Sequence, residues 1–323
     1  MYPTTFMIAI REMPLVCISI LIVALVISNQ SVQYRIVSGQ SELVDFNVAA
    51  VGDWGCNSDT KDTLNNILSK SPELVIGLGD YSYQDTADCW LDIIEPIREK
   101  MKIAIGNHED DSSYLLNQYL NKFNLTRQYY SFNYSGVHFL VLQPKLPLEV
   151  GSQQYNFAKN DLASAASDNN LLWSVVVTHL PVYSSPAERA AETPLRENAI
   201  TNLREIYHSL FEKYDVDIVL QAHLHAYERT YPLVYNDKEP LDPIVTDKQT
   251  ETYQNPEGEI FITVGTGGYR PHYFTDKSPY IAAQHEGSGF LNIDMLNNGT
   301  QLSAKFYDNS GSLSDHFTLT KGL

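Results

Sequence analysis

Five short apolar runs in this chain end alike. Phe46 to Val51 leads into Gly52-Asp53, and Leu74 to Leu78 into Gly79-Asp80. Met101 to Ile105 leads into Gly106-Asn107-His108, Leu172 to Val177 into Thr178-His179, and Ile218 to Gln221 into Ala222-His223. Runs of this length, rich in Val, Ile and Leu and bounded by turn residues, read as buried strands. In open α/β sheets, ligands bind beyond the carboxyl ends of the strands. Polar side chains far apart in sequence are therefore expected on one rim. Singly, each has a plain explanation. Gly-Asp after a strand is usually a turn, and a histidine near Pro181 is more often structural than a ligand. The pair in His223-Leu224-His225 is only suggestive by itself. The recurrence of one pattern at five strand ends carries the weight.

Other segments fill in an α/β chain. Helical spacing covers Thr60 to Lys70, Trp90 to Lys100, Asp161 to Ser167 and Ile200 to Tyr214. Tyr129 to Tyr134 and Val137 to Leu142 read as an antiparallel pair across Ser135-Gly136. The tail is strand-rich, with Ile260 to Val264, Gly289 to Met295, Leu302 to Tyr307 and His316 to Thr320. No internal repeat or low-complexity tract interrupts residues 45–323, which read as one catalytic domain.

The start of the chain reads differently. Met13 to Ser28 is apolar behind Arg11, short for a membrane span of ~20 residues. It suits a signal peptide over residues 1–28 or, alternatively, an uncleaved N-terminal anchor. Either places the domain outside the cytoplasm, secreted or held on the outer face of a membrane. Residues 29–44 are polar and read as a linker. Cys17 falls in the export segment, leaving Cys56 and Cys89 to form one disulfide or to remain buried thiols. Sequons stand at Asn29, Asn124, Asn133 and Asn298, and matter only in a glycosylating host.

The net charge of -17 disfavours nucleic acid as a partner. The same surface repels phosphate, so phosphate chemistry here needs concentrated local positive charge. The candidate residues supply a place for it. Asp53, Asp80, Tyr83, Asn107, His179, His223 and His225 offer oxygen and nitrogen donors and no thiolate, which argues against a structural zinc site. Two carboxylates with three imidazoles exceed what one open metal needs. Two ions sharing a bridging carboxylate fit better, and such a pair acidifies a bound water and polarises a phosphoryl group.

The blocks Gly52-Asp-Trp-Gly55, Gly79-Asp-Tyr-Ser-Tyr83, Gly106-Asn-His-Glu109, Val176-Val-Thr-His179 and Ala222-His-Leu-His225 resemble the calcineurin-like metallophosphoesterases. Within them the chain looks most like the small purple acid phosphatases. The first block lacks the usual Asp-x-His, having Gly55 instead, while Tyr83 stands three residues after Asp80, as in the purple branch. His225-Ala-Tyr-Glu-Arg229, Val264-Gly-Thr-Gly-Gly268 and Gly287-Ser-Gly289 are also similar to that family. The resemblance implies a β-sandwich of two mixed sheets flanked by helices, with metals at one edge. It implies ferric iron on Asp53, Asp80, Tyr83 and His225, and a divalent iron, zinc or manganese on Asp80, Asn107, His179 and His223. It gives His108 a role in binding phosphate and protonating the leaving group, against the alternative that it orients a neighbouring ligand.

There are departures. Ala222 replaces a glycine, and Glu188-Arg189 stands where relatives often carry a further histidine. Arg189 either binds the phosphate or belongs to a solvated loop. The implied activity is hydrolysis of small phosphate monoesters by a metal-activated water. A diesterase or nucleotide pyrophosphatase on the same site is the alternative. A non-catalytic metal-binding surface protein is the third reading, and nothing implies a protein partner.

Overall fold

Val, Ile and Leu fill the runs that become strands, and hydrogen bonding sorts those strands into two large sheets. The computed structural model describes residues 45–188 and 192–322. The expected export segment, the linker over 29–44 and Arg189 lie outside the described residues.

In the first seven-stranded sheet the order is Thr252–Gln254, Leu313–Thr320, Gln301–Asp308, Gly289–Leu296, Phe46–Val51, Leu74–Gly77 and Met101–Ile103. Phe46–Val51 runs parallel to Leu74–Gly77, which runs parallel to Met101–Ile103, while the strands of the tail add antiparallel hairpins. In the second sheet the order is Ile281–His285, Tyr227–Thr230, Ile260–Val264, Ile218–Gln221, Trp173–Val177, Val137–Val141 and Tyr130–Tyr134. Its central strands are parallel and its edges antiparallel. Both sheets are therefore mixed, as the resemblance implies.

Side chains on a strand alternate between faces. Phe139, Val175, Val177, Ile218, Leu220, Ile260 and Ile262 enter one core together with Val48, Val75, Phe290 and Phe306 of the first sheet. Their sequence neighbours Leu140, Val176, Val219 and Phe261 enter a second core with Ala158, Leu162, Leu203 and Phe211 from the helical segments. Burial on both faces explains why these strands read as mostly apolar runs rather than as strict alternation. Each fully buried Val, Leu or Ile contributes roughly 1.5–3 kcal/mol.

Helix ends follow local chemistry. Ser58–Lys70 begins where Asn57 Oδ1 accepts from the Thr60 amide at 3.0 Å. The helix expected over Trp90 to Lys100 is instead Asp88–Ile93 followed by one tight turn at Arg98–Lys100. Pro96 lacks the amide hydrogen that would continue it. The expected Asp161 to Ser167 helix starts earlier, at Gln153, because Ser152 caps it through the Tyr155 amide. Ile200 to Tyr214 is part of a longer run, Pro194–Asn202, a wide turn at Leu203–Tyr207, and His208–Lys213.

The ladder does not stop at the strand ends. Past Val51 the Asp53 amide donates to Gly79 O at 3.0 Å and the Trp54 amide to Asp80 O at 2.9 Å. Past Gln221 the Ala222 amide donates to His179 O at 3.0 Å. A disulfide joins Cys56 to Cys89, with Cα atoms 6.1 Å apart, and ties the loop after Asp53 to the segment beyond Tyr83. Among the described residues, no helix is long and apolar enough to cross a membrane.

Candidate metal centre

The first sheet delivers Asp53, Asp80, Tyr83, Asn107 and His108 from the loops after three parallel strands. The second delivers His179, His223 and His225 from the loops after two. Four of these residues hold left-handed backbone: Asp53 (φ 56°), Asp80 (φ 54°), Tyr83 (φ 52°) and His223 (φ 68°). That conformation is uncommon outside glycine, and each instance costs of order 1–3 kcal/mol. Its concentration here turns the side chains inward from tight strand-end turns.

Two groups of donors result. In the first, Tyr83 Oη lies 2.8 Å from Asp53 Oδ1, 3.1 Å from His225 Nε2 and 3.4 Å from Asp80 Oδ2. In the second, His179 Nε2 lies 3.3 Å from Asp80 Oδ2 and 3.2 Å from the Asn107 amide. Ligand atoms of Asp80, His179 and His223 all fall within 4.8 Å of one another. The same oxygen of Asp80 thus faces both groups.

Each imidazole is oriented through its other nitrogen. His179 Nδ1 donates to Leu78 O at 2.8 Å, and His225 Nδ1 to Arg270 O at 2.8 Å, so both turn Nε2 inward. His223 is reversed. Its Nε2 lies 3.0 Å and 3.2 Å from the two carboxylate oxygens of Glu192, which leaves Nδ1 facing the cluster. Fixing a ring this way is how ligand histidines are held in their metal-binding tautomer. The Asn107 amide lies between His179, His223 and Arg196. With nitrogen inward it donates to His223 Nδ1 at 2.9 Å, and its oxygen accepts from Arg196 Nη2 at 3.2 Å. With oxygen inward it presents a neutral donor to a cation between the same rings.

The electrostatics favour a cation. Asp53 and Asp80 are fully buried, within reach of a common phenol. Burial alone would raise both carboxyl pKa values. His225 beside Asp53, and His179 beside Asp80, hold them below the usual range. Burial would lower the pKa of His179, but Asp80 raises it to about 9. Burial and Asp53 push the Tyr83 phenol well above 10. Two buried carboxylates that draw protons onto their neighbours are a site whose charge a metal would balance better. The donor types, spacing and fixed tautomers fit two ions, one per group.

His108 stands at the mouth. Its amide donates to Asp80 Oδ1 at 2.9 Å, its ring packs 4.4 Å from that of Tyr83, and its side chain is 46% exposed. Glu109 is wholly buried and accepts from the amides of Asp80 (2.8 Å), Tyr81 (2.8 Å) and Gly106 (2.9 Å), locking one loop against the next.

Sequence reasoning did not find Glu192, Arg196, Tyr269 or His272. Tyr269 stacks on Tyr83 at 3.5 Å, and His272 stacks on His225 at 4.1 Å. Both follow the Gly-rich block ending at Gly268, which was a usable signal. Glu192 and Arg196 carry no motif.

The calcineurin-like phosphoesterase family model matches residues 46–227. Purple acid phosphatase 22 of Arabidopsis thaliana is 31% identical over 241 residues, covering 69% of this chain and 50% of the relative. Purple acid phosphatase 15 of the same plant is 28% identical over 264 residues, covering 69% and 45%. The chain spans about half the length of these curated relatives. Purple acid phosphatase PPD1 from seeds of yellow lupin (Lupinus luteus) superposes with a TM-score of 0.73. It is 24% identical, over 86% of this chain and 54% of that one, and shows a common fold. With the family model spanning every strand-end block from Asp53 to His225, this chain belongs to the calcineurin-like phosphoesterases.

Proposed function

We propose that residues 45–323 are the catalytic domain of a binuclear-metal phosphatase that hydrolyses small phosphate monoesters, an acid phosphatase of the purple type. One observation carries the reading: Asp80 Oδ2 faces Tyr83 on one side and His179 on the other, at 3.4 Å and 3.3 Å. A carboxylate oxygen facing two groups of donors suits a pair of bridged ions.

Asp53, Asp80, Tyr83 and His225 would hold the ferric ion, and Asp80, Asn107, His179 and His223 a divalent iron, zinc or manganese. When bound, the pair supplies Lewis-acid charge to the phosphoryl group and acidifies a water. The chain's own residues do the rest. The buried carboxylates and the Tyr83 oxygen fix where that charge sits. His108, exposed beside Tyr83, is placed to hydrogen-bond a phosphate oxygen and to give a proton to the departing alcohol. Phosphoryl transfer asks for positioning and charge more than for covalent chemistry.

The diesterase reading has one observation in its favour. A cavity of about 150 Å³ opens beside Asn107 and His179, lined by Pro144, Leu180, Leu195 and Arg196. A second of about 510 Å³ opens beside Tyr83 and His108. Two substituents of a diester would find room. The exported location expected from residues 1–28 accords with the Cys56–Cys89 disulfide, since disulfides persist in oxidising compartments.

Steady-state kinetics of the metal-loaded full chain on a phosphate monoester and a diester tests the reading. Higher kcat/KM for the monoester is expected. His108→Asn should lower kcat by about 10²–10⁴-fold with metal content unchanged. A chain holding two ions that cleaves neither ester would refute the proposal.

A further inference from the structure

His179 and His225 are both held by neutral backbone carbonyls, whereas His223 is held by a carboxylate. Glu192 reaches it with both oxygens, at 3.0 Å and 3.2 Å, and both side chains are 11% exposed. Arg196 lies one helical turn further on, 3.9 Å from Glu192 and 3.2 Å from the outer atom of the Asn107 amide. One short stretch at the start of Pro194–Asn202 therefore braces two residues of the same donor group. Thr193 caps that helix through the Arg196 amide, which sets where the helix begins.

We propose that Glu192 is a positioning residue for the divalent subsite, holding His223 by Nε2 so that Nδ1 is the nitrogen offered to the ion. The inference rests on the two-ion reading given above. A carboxylate behind a ligand imidazole fixes its tautomer and makes it a stronger donor, and losing such a partner typically costs 10–100-fold in metal affinity. Among the described residues, Tyr83 and His225 are held by Asp53 and the Arg270 carbonyl rather than by this stretch, so the larger effect falls on the subsite of His223. Arg196 steadies the Glu192 carboxylate and, from its other side, the Asn107 amide.

The test strips the full chain with a chelator, restores ferric iron, and then titrates manganese(II) by calorimetry. Glu192→Gln should bind manganese about 10–100-fold more weakly than wild type. Its iron-dependent visible band and the unfolding temperature of the metal-free protein should stay unchanged. Glu197→Gln, an exposed neighbour, should behave as wild type. Equal manganese affinity in Glu192→Gln overturns the proposal. So does a lowered metal-free Tm with both ions weakened together, which would make Glu192 a fold residue. A wild-type chain taking up iron but no manganese sinks the two-ion reading, and this inference with it.

Discussion

The phenol oxygen of Tyr83 lies 2.8 Å from Oδ1 of Asp53, both residues on left-handed backbone. In the metal-free protein that phenol stays protonated beyond its ordinary range, because burial and the Asp53 carboxylate disfavour phenolate. Only a strongly charged cation would deprotonate it. Tyr83→Phe should therefore abolish the visible band of the iron-loaded protein while leaving the fold intact. Absorption spectra of both proteins check this. A band that survives the substitution would remove Tyr83 from the ligand set.

Gly106 is the close approach on which Asp80 depends. A Cβ at Gly106 would collide with Asp80 Oδ1 and the Asp80 amide. Gly106→Ala should displace the carboxylate and lower kcat/KM on the order of 10²-fold, the scale of a 1 Å misplacement. Gly151 is the control: its φ is 93° and nothing lies within 4 Å of an added Cβ. Gly151→Ala should cost about 1–2 kcal/mol of stability through backbone strain and leave activity alone. Kinetics and urea unfolding of the two variants separate these outcomes.

His208 and Glu259 form a buried pair, Nε2 to Oε2 at 3.0 Å, with Tyr183 Oη 2.8 Å from His208 Nδ1. Burial pushes His208 down to about 4 and Glu259 well above its ordinary 4.5. The raised Glu259 takes up a proton in the folded state where an unfolded glutamate has already lost it, which offsets part of the proton uptake by unfolded His208. Glu259→Gln removes the carboxyl proton from the folded state while unfolded His208 still takes one up. Its stability should fall by about 1.4 kcal/mol per pH unit as pH drops from 6.5 towards 4. Urea unfolding at several pH values, against wild type, reads the difference in slope, and parallel slopes would contradict this account.

Cys56 and Cys89 are 33 residues apart in sequence. Closing a loop of that length removes unfolded-state entropy worth about 3–4 kcal/mol in the chain-entropy model. Replacing both with serine should lower the unfolding free energy by about that amount, measured by denaturant titration without reductant. The variant should keep the Asp53–Tyr83 contact, since backbone bonds from Asp53 to Gly79 and Gly55 to Tyr81 also hold these loops together.

The parts of this fold that sequence reveals are those with strong period or punctuation. Ile218–Gln221 and Ile260–Val264 are mostly apolar runs, with Gln221 and Thr263 as their polar members, and have the same bounds in the structure. Tyr227–Thr230 escaped because Glu228 and Arg229 interrupt it. Both are buried, Arg229 through paired bonds to Asp315 at 2.7 Å and 3.0 Å. The Ser113–Lys122 helix buries only Leu115 and Tyr119, a pattern too sparse to see. At the site, residues directly after strands were visible because strand ends converge. Glu192 was invisible because its contact with His223 spans 31 residues and depends on how a helix enters the sheet.

Metal analysis of the purified full chain, joined to its visible spectrum, tests the central claim most directly. The account predicts one iron and one divalent ion per chain, with both lost together in Asp80→Asn. A chain that takes up a single ion, or that keeps a full complement when Asp80 is replaced, would contradict it.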